Sequence, residues 1–225
     1  MKHSILIFLF VFIGKVCFVQ NEIVSIDIQV NFGNQKINLN QWYESEKDTF
    51  SFETVKFFIS NLQFVNEDSL VYSCSNSYYL IDLEDSNSLQ VSASIPSNLN
   101  YSSIKFNLGI DSVTNTSGAM GGVLDPTNGM YWTWQSGYIN FKLEGVSKKC
   151  TARKNYFQFH LGGYSFPNNA LQSVELNISP KANNIVYLDI ESIMNRMDLT
   201  VKSSIMSPDG NAVELSKKIA NSFKL

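Results

Sequence analysis

The sequence predicts an all-β fold: one antiparallel β-sandwich with Greek-key-like connections and a short C-terminal helix. Three observations carry this reading. Apolar and polar residues alternate with a period of two in several stretches, polar turn clusters separate those stretches, and a helical stripe appears only near the end of the chain.

The chain opens Met1-Lys2-His3-Ser4 and runs from Ile5 to Ile13 without a polar residue. A basic start before a short apolar run reads as a secretory leader, since the run is too short to span a membrane. Cleavage is expected near Val19-Gln20, leaving residues 20–225 as one domain in the periplasm or outside the cell. Lys15 and Val16, in front of Cys17, do not make a lipobox.

The first strand follows, with Ile26, Ile28, Val30 and Phe32 alternating with Asp27, Gln29 and Asn31. Trp42, in Asn40-Gln41-Trp42-Tyr43, reads as packing. Ile104, Phe106, Leu108 and Ile110 alternate with Lys105, Asn107 and Gly109, and Ile139, Phe141 and Leu143 with Asn140, Lys142 and Glu144. Val174, Leu176 and Ile178, then Val186, Leu188 and Ile190, close the series. Turn clusters lie between them at 98–100, 125–129 and 166–169. Between Asp111 and Asn128 runs a long, apolar-poor loop, readable either as a surface crossing or as a site-forming segment. Residues 189–198 predict a short helix with Ile193 and Met197 facing inward. After Ser207-Pro208-Asp209-Gly210, a stripe of Ala212, Leu215, Ile219 and Phe223 predicts the C-terminal helix.

Charge and composition narrow the function. Loss of Lys2 and Lys15 with the leader takes the 17 basic residues to 15 against 20 acidic ones, so the net charge moves from −3 to −5. An acidic surface argues against nucleic acid as a partner. Two cysteines would remain, Cys74 and Cys150, and in an oxidising compartment one disulfide between them is expected. A thiolate metal site is the other reading, without a CxxC pair to support it.

One histidine, His160, outlasts the leader. That excludes HExxH sites and zinc centres built from several imidazoles, and no GxSxG, GxGxxG or Walker loop is present. His160 lies on the predicted strand Tyr156-Phe157-Gln158-Phe159-His160-Leu161. Phe157, Phe159 and Leu161 take one face, which leaves His160 on the other with Tyr156 and Gln158. Trp132 and Trp134 stand two apart just after a turn signal, a spacing that on a strand points both rings to one face.

Several motifs surround these residues. They are Lys105-Phe106-Asn107-Leu108-Gly109-Ile110-Asp111-Ser112, Ser117-Gly118-Ala119, Leu124-Asp125-Pro126, the stretch from Asn128 to Gly145 around Tyr131-Trp132-Thr133-Trp134, and Phe157-Gln158-Phe159-His160-Leu161-Gly162-Gly163-Tyr164. Fainter echoes lie at Phe58-Ile59-Ser60-Asn61 and Tyr79-Leu80-Ile81-Asp82. Together they resemble the MbnP-like family, periplasmic copper-binding proteins of the metallo-mystery-pair type, in its cysteine-poor branch. The resemblance implies copper held by histidine together with a tryptophan that a di-haem peroxidase-like partner oxidises to kynurenine. His160 matches the histidine motif, and Trp132 or Trp134 the aromatic signature.

Copper-binding relatives use more than one histidine, so a second donor is expected from Met120, Met130, Asp111, Asp125, the N-terminal amine or water. Met120 and Met130 offer thioethers suited to Cu(I), and methionine also serves as an ordinary gap-filler. Asp111 and Asp125 read first as caps of free backbone amides. The leading expectation is thus a non-enzymatic copper protein that sequesters or delivers the metal. The alternative is a metal-free scaffold with a contact patch at Tyr131, Trp134 and Tyr138, for instance toward an outer-membrane receptor. A glycan-active enzyme is a third reading, without an acid pair beside the tryptophans to support it.

Overall fold

The computed structural model describes residues 20–178 and 184–225; the expected leader, with His3 and Cys17, lies outside the described residues. In chain order the strands are β1 (Asn21–Phe32), β2 (Gln35–Lys36), β3 (Trp42–Glu44), β4 (Thr49–Asn66), β5 (Ser69–Ser73), β6 (Tyr78–Asp82), β7 (Gln90–Pro96) and β8 (Ser103–Leu108). They continue as β9 (Tyr131–Trp132), β10 (Gly137–Ser147), β11 (Tyr156–Gly162), β12 (Gln172–Asn177), β13 (Asn184–Asp189), β14 (Ser204–Ile205) and β15 (Phe223–Lys224). Three short helices are interspersed: α1 (Ser112–Thr116), α2 (Ile190–Met194) and α3 (Gly210–Ala220).

Two sheets face each other. The smaller has the order β15-β13-β1-β2, with β7 also on β1; the larger runs β12-β8-β4-β10-β11-β14, with β3, β5 and β6 on β4 and β9 on β10. Most pairings are antiparallel, but β1–β13 and β11–β14 are parallel. Parallel pairing needs a long crossover, and most of the chain lies between β1 and β13.

The alternation read from the sequence is what faces the core. Ile26, Ile28 and Val30 of β1 and Val186 and Leu188 of β13 meet Phe57 and Ile59 of β4, Phe106 of β8, Phe141 and Leu143 of β10, and Phe157, Phe159 and Leu161 of β11. Ring contacts tie the layers: Phe223 of β15 stands edge-on to Phe57 at 5.9 Å and to Phe106 at 5.6 Å. Phe223 therefore belongs to a strand paired with Leu188, not to the helical stripe expected for it. Helix α3 ends at Ala220, begins on the Asp209 cap, and turns Ala212, Leu215 and Ile219 inward. Helix α2 buries Ile193, and Met197 packs against the core just beyond it.

The predicted disulfide does not form: Cys74 and Cys150 are both free. They sit at opposite ends of the longest strand. The Cys74 N–H bonds the Leu62 carbonyl, whereas Cys150 follows Ser147, which pairs with Phe50. The dozen residues of β4 between these anchors span roughly 30–40 Å at about 3.3 Å each, far beyond the ~7 Å Cα separation that a disulfide tolerates. Cys150 instead packs in the core with its Sγ 3.4 Å from the Tyr156 carbonyl oxygen.

The segment from Asp111 to Asn128 is a built structure, not a floppy crossing. Asp111 caps α1, its carboxylate accepting from the Thr114 N–H at 2.9 Å and from the Thr114 hydroxyl at 2.7 Å. Buried Asn115 donates to the Ile110 carbonyl at 2.9 Å and accepts from the Tyr138 N–H at 2.8 Å. The Tyr138 hydroxyl accepts from the Met120 N–H and donates to the Leu124 carbonyl. Asp125 caps the 3-10 turn Pro126–Asn128 through Thr127, whose hydroxyl and N–H hold its carboxyl below the usual range. Both aspartates thus serve as backbone caps. Beneath this cover, on the face of the larger sheet away from the main core, Phe58, Ile110, Leu124, Met130, Trp132, Tyr138 and Ile139 form a second apolar cluster.

Candidate metal centre

His160 lies on the outer face of β11, as the alternation predicts, with only 7% of its surface exposed. Its strand neighbour β10 presents Lys142 directly opposite, and Glu144 opposite Gln158. Asn140 occupies an irregularity in that pairing, between Ile139 and Phe141. It fills the space above Gly109 (φ 110°), and its Oδ1 accepts from the Ile110 N–H at 3.0 Å.

A charged network surrounds the imidazole. His160 Nε2 is 2.7 Å from Glu144 Oε1. Thr54 on β4 and Tyr156 on β11 also interact with the Glu144 carboxyl. The His160 hydrogen bond, opposed by burial and aided by Lys142, holds the Glu144 carboxyl below the ordinary glutamate range. Burial first, then the charges of Glu144 and Glu53, pushes the Tyr156 hydroxyl up to about 12. Lys56 and Lys142 face each other across β4 and β10, an unfavourable pairing. Each turns to its own carboxylate: Lys56 to Asp82 at 2.8 Å and Glu84 at 3.3 Å, and Lys142 toward Glu144 at 3.9 Å. Burial works to lower the Lys56 pKa, but these two partners outweigh it and leave it raised.

Trp132 borders this network. Strand β9 ends at Trp132, whose partner across the hairpin is Gly137. Its ring lies against Gly162, two residues beyond His160 on the same strand. Trp132 is 5% exposed and its indole N–H has no hydrogen-bond partner among the described residues, an arrangement that costs about 1–3 kcal/mol in a buried group. Trp134 sits past the end of β9, in the turn, and is 64% exposed. The two rings still meet, with centroids 5.7 Å apart and planes at 46°.

The thioethers are split as well. Met130 is packed in the second cluster with Trp132, while Met120 is exposed on the covering loop. Tyr138 is buried and Tyr131 half-buried, so of the expected contact patch only Trp134 is fully at the surface. Trp42, read as packing, is exposed under the Lys148 ammonium. Among the described residues no group of three or more His, Cys, Asp or Glu side chains could hold a metal ion. The site therefore offers one oriented imidazole beside one buried indole. Glu144, Thr54 and Tyr156 were not singled out from the sequence as site residues. Their period-two positions place them on the outer face, but only the pairing of β10 with β11 and β4 brings them to His160.

Residues 21–207 match the MbnP family model. The chain belongs to the MbnP family. Among the described elements, α3 and β15, which close the C-terminal side of the core, lie beyond the match. Among solved structures, the fold is similar to that of MbnP from Methylosinus trichosporium, with a TM-score of 0.61 and 13% identity over 87% of this chain and 88% of that one. At that identity the likeness is one of fold. A comparison with curated protein sequences gives no match.

Proposed function

We propose that this MbnP-family chain is an exported, non-enzymatic copper-binding protein that sequesters or delivers the metal. His160 is its ligand and Trp132 its site tryptophan. One observation carries the reading: a buried imidazole tied at Nε2 to Glu144, next to a buried indole with an unsatisfied N–H. A metal-ligating histidine characteristically gives its other ring nitrogen to a carboxylate, and imidazole is a good copper ligand. The residues fit the metal to that extent. The imidazole has a second ring nitrogen; Met120 is exposed on the covering loop, and Met130 is enclosed in packing.

The family's maturation enters the same reading. A di-haem peroxidase-like partner would oxidise Trp132, whose buried N–H has no hydrogen-bond partner among the described residues. A copper titration in both oxidation states tests this, with wild type beside His160→Ala, on material from the protein's own host checked by peptide mass. About one copper per chain, lost in the variant, is expected. Equal binding by both proteins would sink the assignment. A metal-free scaffold is the second reading, favoured by the absence of a three-ligand cluster among the described residues and by the exposure of Trp134; failure of the host-derived protein to bind copper would select it.

A further inference from the structure

We propose that the free edge of β6 is a docking groove for an extended, basic peptide segment of a partner protein, which joins the larger sheet as a further strand. Strand β6 pairs with β4 and with no other strand among the described residues. The hydrogen bonds at its two ends fix which way its backbone points. The Asn61 N–H bonds the Ser77 carbonyl at 3.0 Å, and the Leu83 N–H bonds the Val55 carbonyl at 3.2 Å. In an antiparallel pair such bonds recur at every second residue, so Tyr79 and Ile81 also turn their backbone groups toward β4. Tyr78, Leu80 and Asp82 turn theirs away. The Ser88 hydroxyl closes the last of these, accepting from the Asp82 N–H at 2.8 Å and lying 2.9 Å from its carbonyl oxygen. The N–H and carbonyl groups of Tyr78 and Leu80 have no partner among the described residues.

These groups open into a groove of about 420 Å³ between the 3-10 turns Ser86–Leu89 and Gly122–Leu124. Exposed strand edges are normally blunted or covered. Strand β7, paired with β1, shows this: its Ser92 and Ser94 carbonyls accept from the Tyr79 hydroxyl at 2.8 Å and the Tyr72 hydroxyl at 3.4 Å. At Tyr78 and Leu80 the edge is walled but not filled, the arrangement that strand addition uses.

Charge selects the occupant. Asp82 and Asp85 line the groove, Glu84 shares Lys56 with Asp82, and Asp27 accepts from Gln90 of the lining. Four carboxylates thus stand against one ammonium, which two of them already hold. A second copy of this edge would bring the same carboxylates with it, an unfavourable like-charge pairing. Lysine or arginine side chains would complement them instead. On the opposite wall Val123 is 43% exposed, which suits apolar residues between the basic ones. Copper plays no part in this contact.

The test is an NMR titration of the full isotope-labelled chain with a capped Val-Lys-Val-Lys-Val peptide. Saturable shifts are expected at the Tyr78 and Leu80 amides, moving downfield as each N–H gains an acceptor. The same peptide N-methylated at every residue should bind at least about tenfold more weakly, because it loses its backbone bonds. A Val-Glu-Val-Glu-Val peptide should give no saturable response. Val123→Arg, a substitution at an exposed position, should fill the groove and abolish the shifts, with thermal unfolding confirming that the variant folds.

The proposal is overturned if the lysine peptide gives no saturable response, or if its shifts centre away from β6. Equal binding of the N-methylated peptide would overturn strand addition, and equal binding of the glutamate peptide would overturn the choice of a basic partner. Wild-type binding by Val123→Arg would place the contact outside this groove.

Discussion

Trp132 occupies the space that a side chain at Gly162 would need. A Cβ at position 162 would stand 2.6 Å from the indole Cζ3 and 2.6 Å from the Tyr138 carbonyl oxygen. Gly162→Ala must therefore move either the indole or the β10 backbone. We expect a loss of about 1–3 kcal/mol, typical of overpacking, and a shift in tryptophan emission. An unchanged denaturation midpoint would show that the ring is free to yield.

Touching rings do not make the two tryptophans equivalent. Trp134→Phe, at an exposed turn, should change stability by no more than about 0.5 kcal/mol. Trp132→Ala removes a core ring and should cost about 3–5 kcal/mol. Exposed Trp42 and Trp134 account for the emission that acrylamide reaches. Replacing both with Phe should leave a blue-shifted, quench-resistant signal from Trp132. Efficient quenching of that remainder would contradict its burial.

The cysteines provide a direct check on the topology. Both thiols should titrate with a disulfide reagent after unfolding, without prior reduction. Burial pushes the Cys74 thiol up, so little thiolate is available to react in the native state. Added reductant should leave the unfolding temperature unchanged, whereas breaking a native disulfide typically costs about 2–5 kcal/mol. A reductant-sensitive midpoint would mean that the β4 ends are bridged after all.

Asp209 ties the last helix to pH. Its carboxylate accepts from the Ala212 N–H at 2.7 Å and from the Asn211 amide at 2.9 Å. Burial works to raise its pKa, but these bonds and Lys202 outweigh it and leave it lowered. A carboxyl lowered on folding stabilises above its unfolded value, near 3.9, and that contribution disappears as pH falls through the folded value. Asp209→Ala should cost about 1 kcal/mol at neutral pH, and the difference from wild type should shrink in acid. A gap that stays constant down to pH ~2 would rule out this linkage.

Much of the frame is legible in the sequence. The alternation of 26–32, 104–110 and 139–143 marks strands whose apolar faces form the core, and the 156–161 run places His160 opposite Phe157 and Phe159. Asp111 and Asp125 read as caps because their carboxylates need only the next few residues. Phe223 misled because residues 212, 215, 219 and 223 keep a helical spacing although the helix stops at Ala220; pairing with Leu188 overrides the local pattern. The Trp132–Trp134 spacing misled similarly, since β9 lasts only two residues before the turn.

What the sequence by itself determined is local: the outward face of His160, the turns, the caps and the family signature around them. These follow from the two-residue period of a strand and from side chains that reach only their near neighbours. What only the tertiary structure decided is which strands lie side by side. The β10–β11 pairing delivers Glu144 to His160, the fold of β9 over β11 sets Trp132 on Gly162, and the length of β4 keeps Cys74 from Cys150. A period of two assigns a side chain to a face but not to a partner. The partner is chosen by the register that buries the most apolar surface across the whole core.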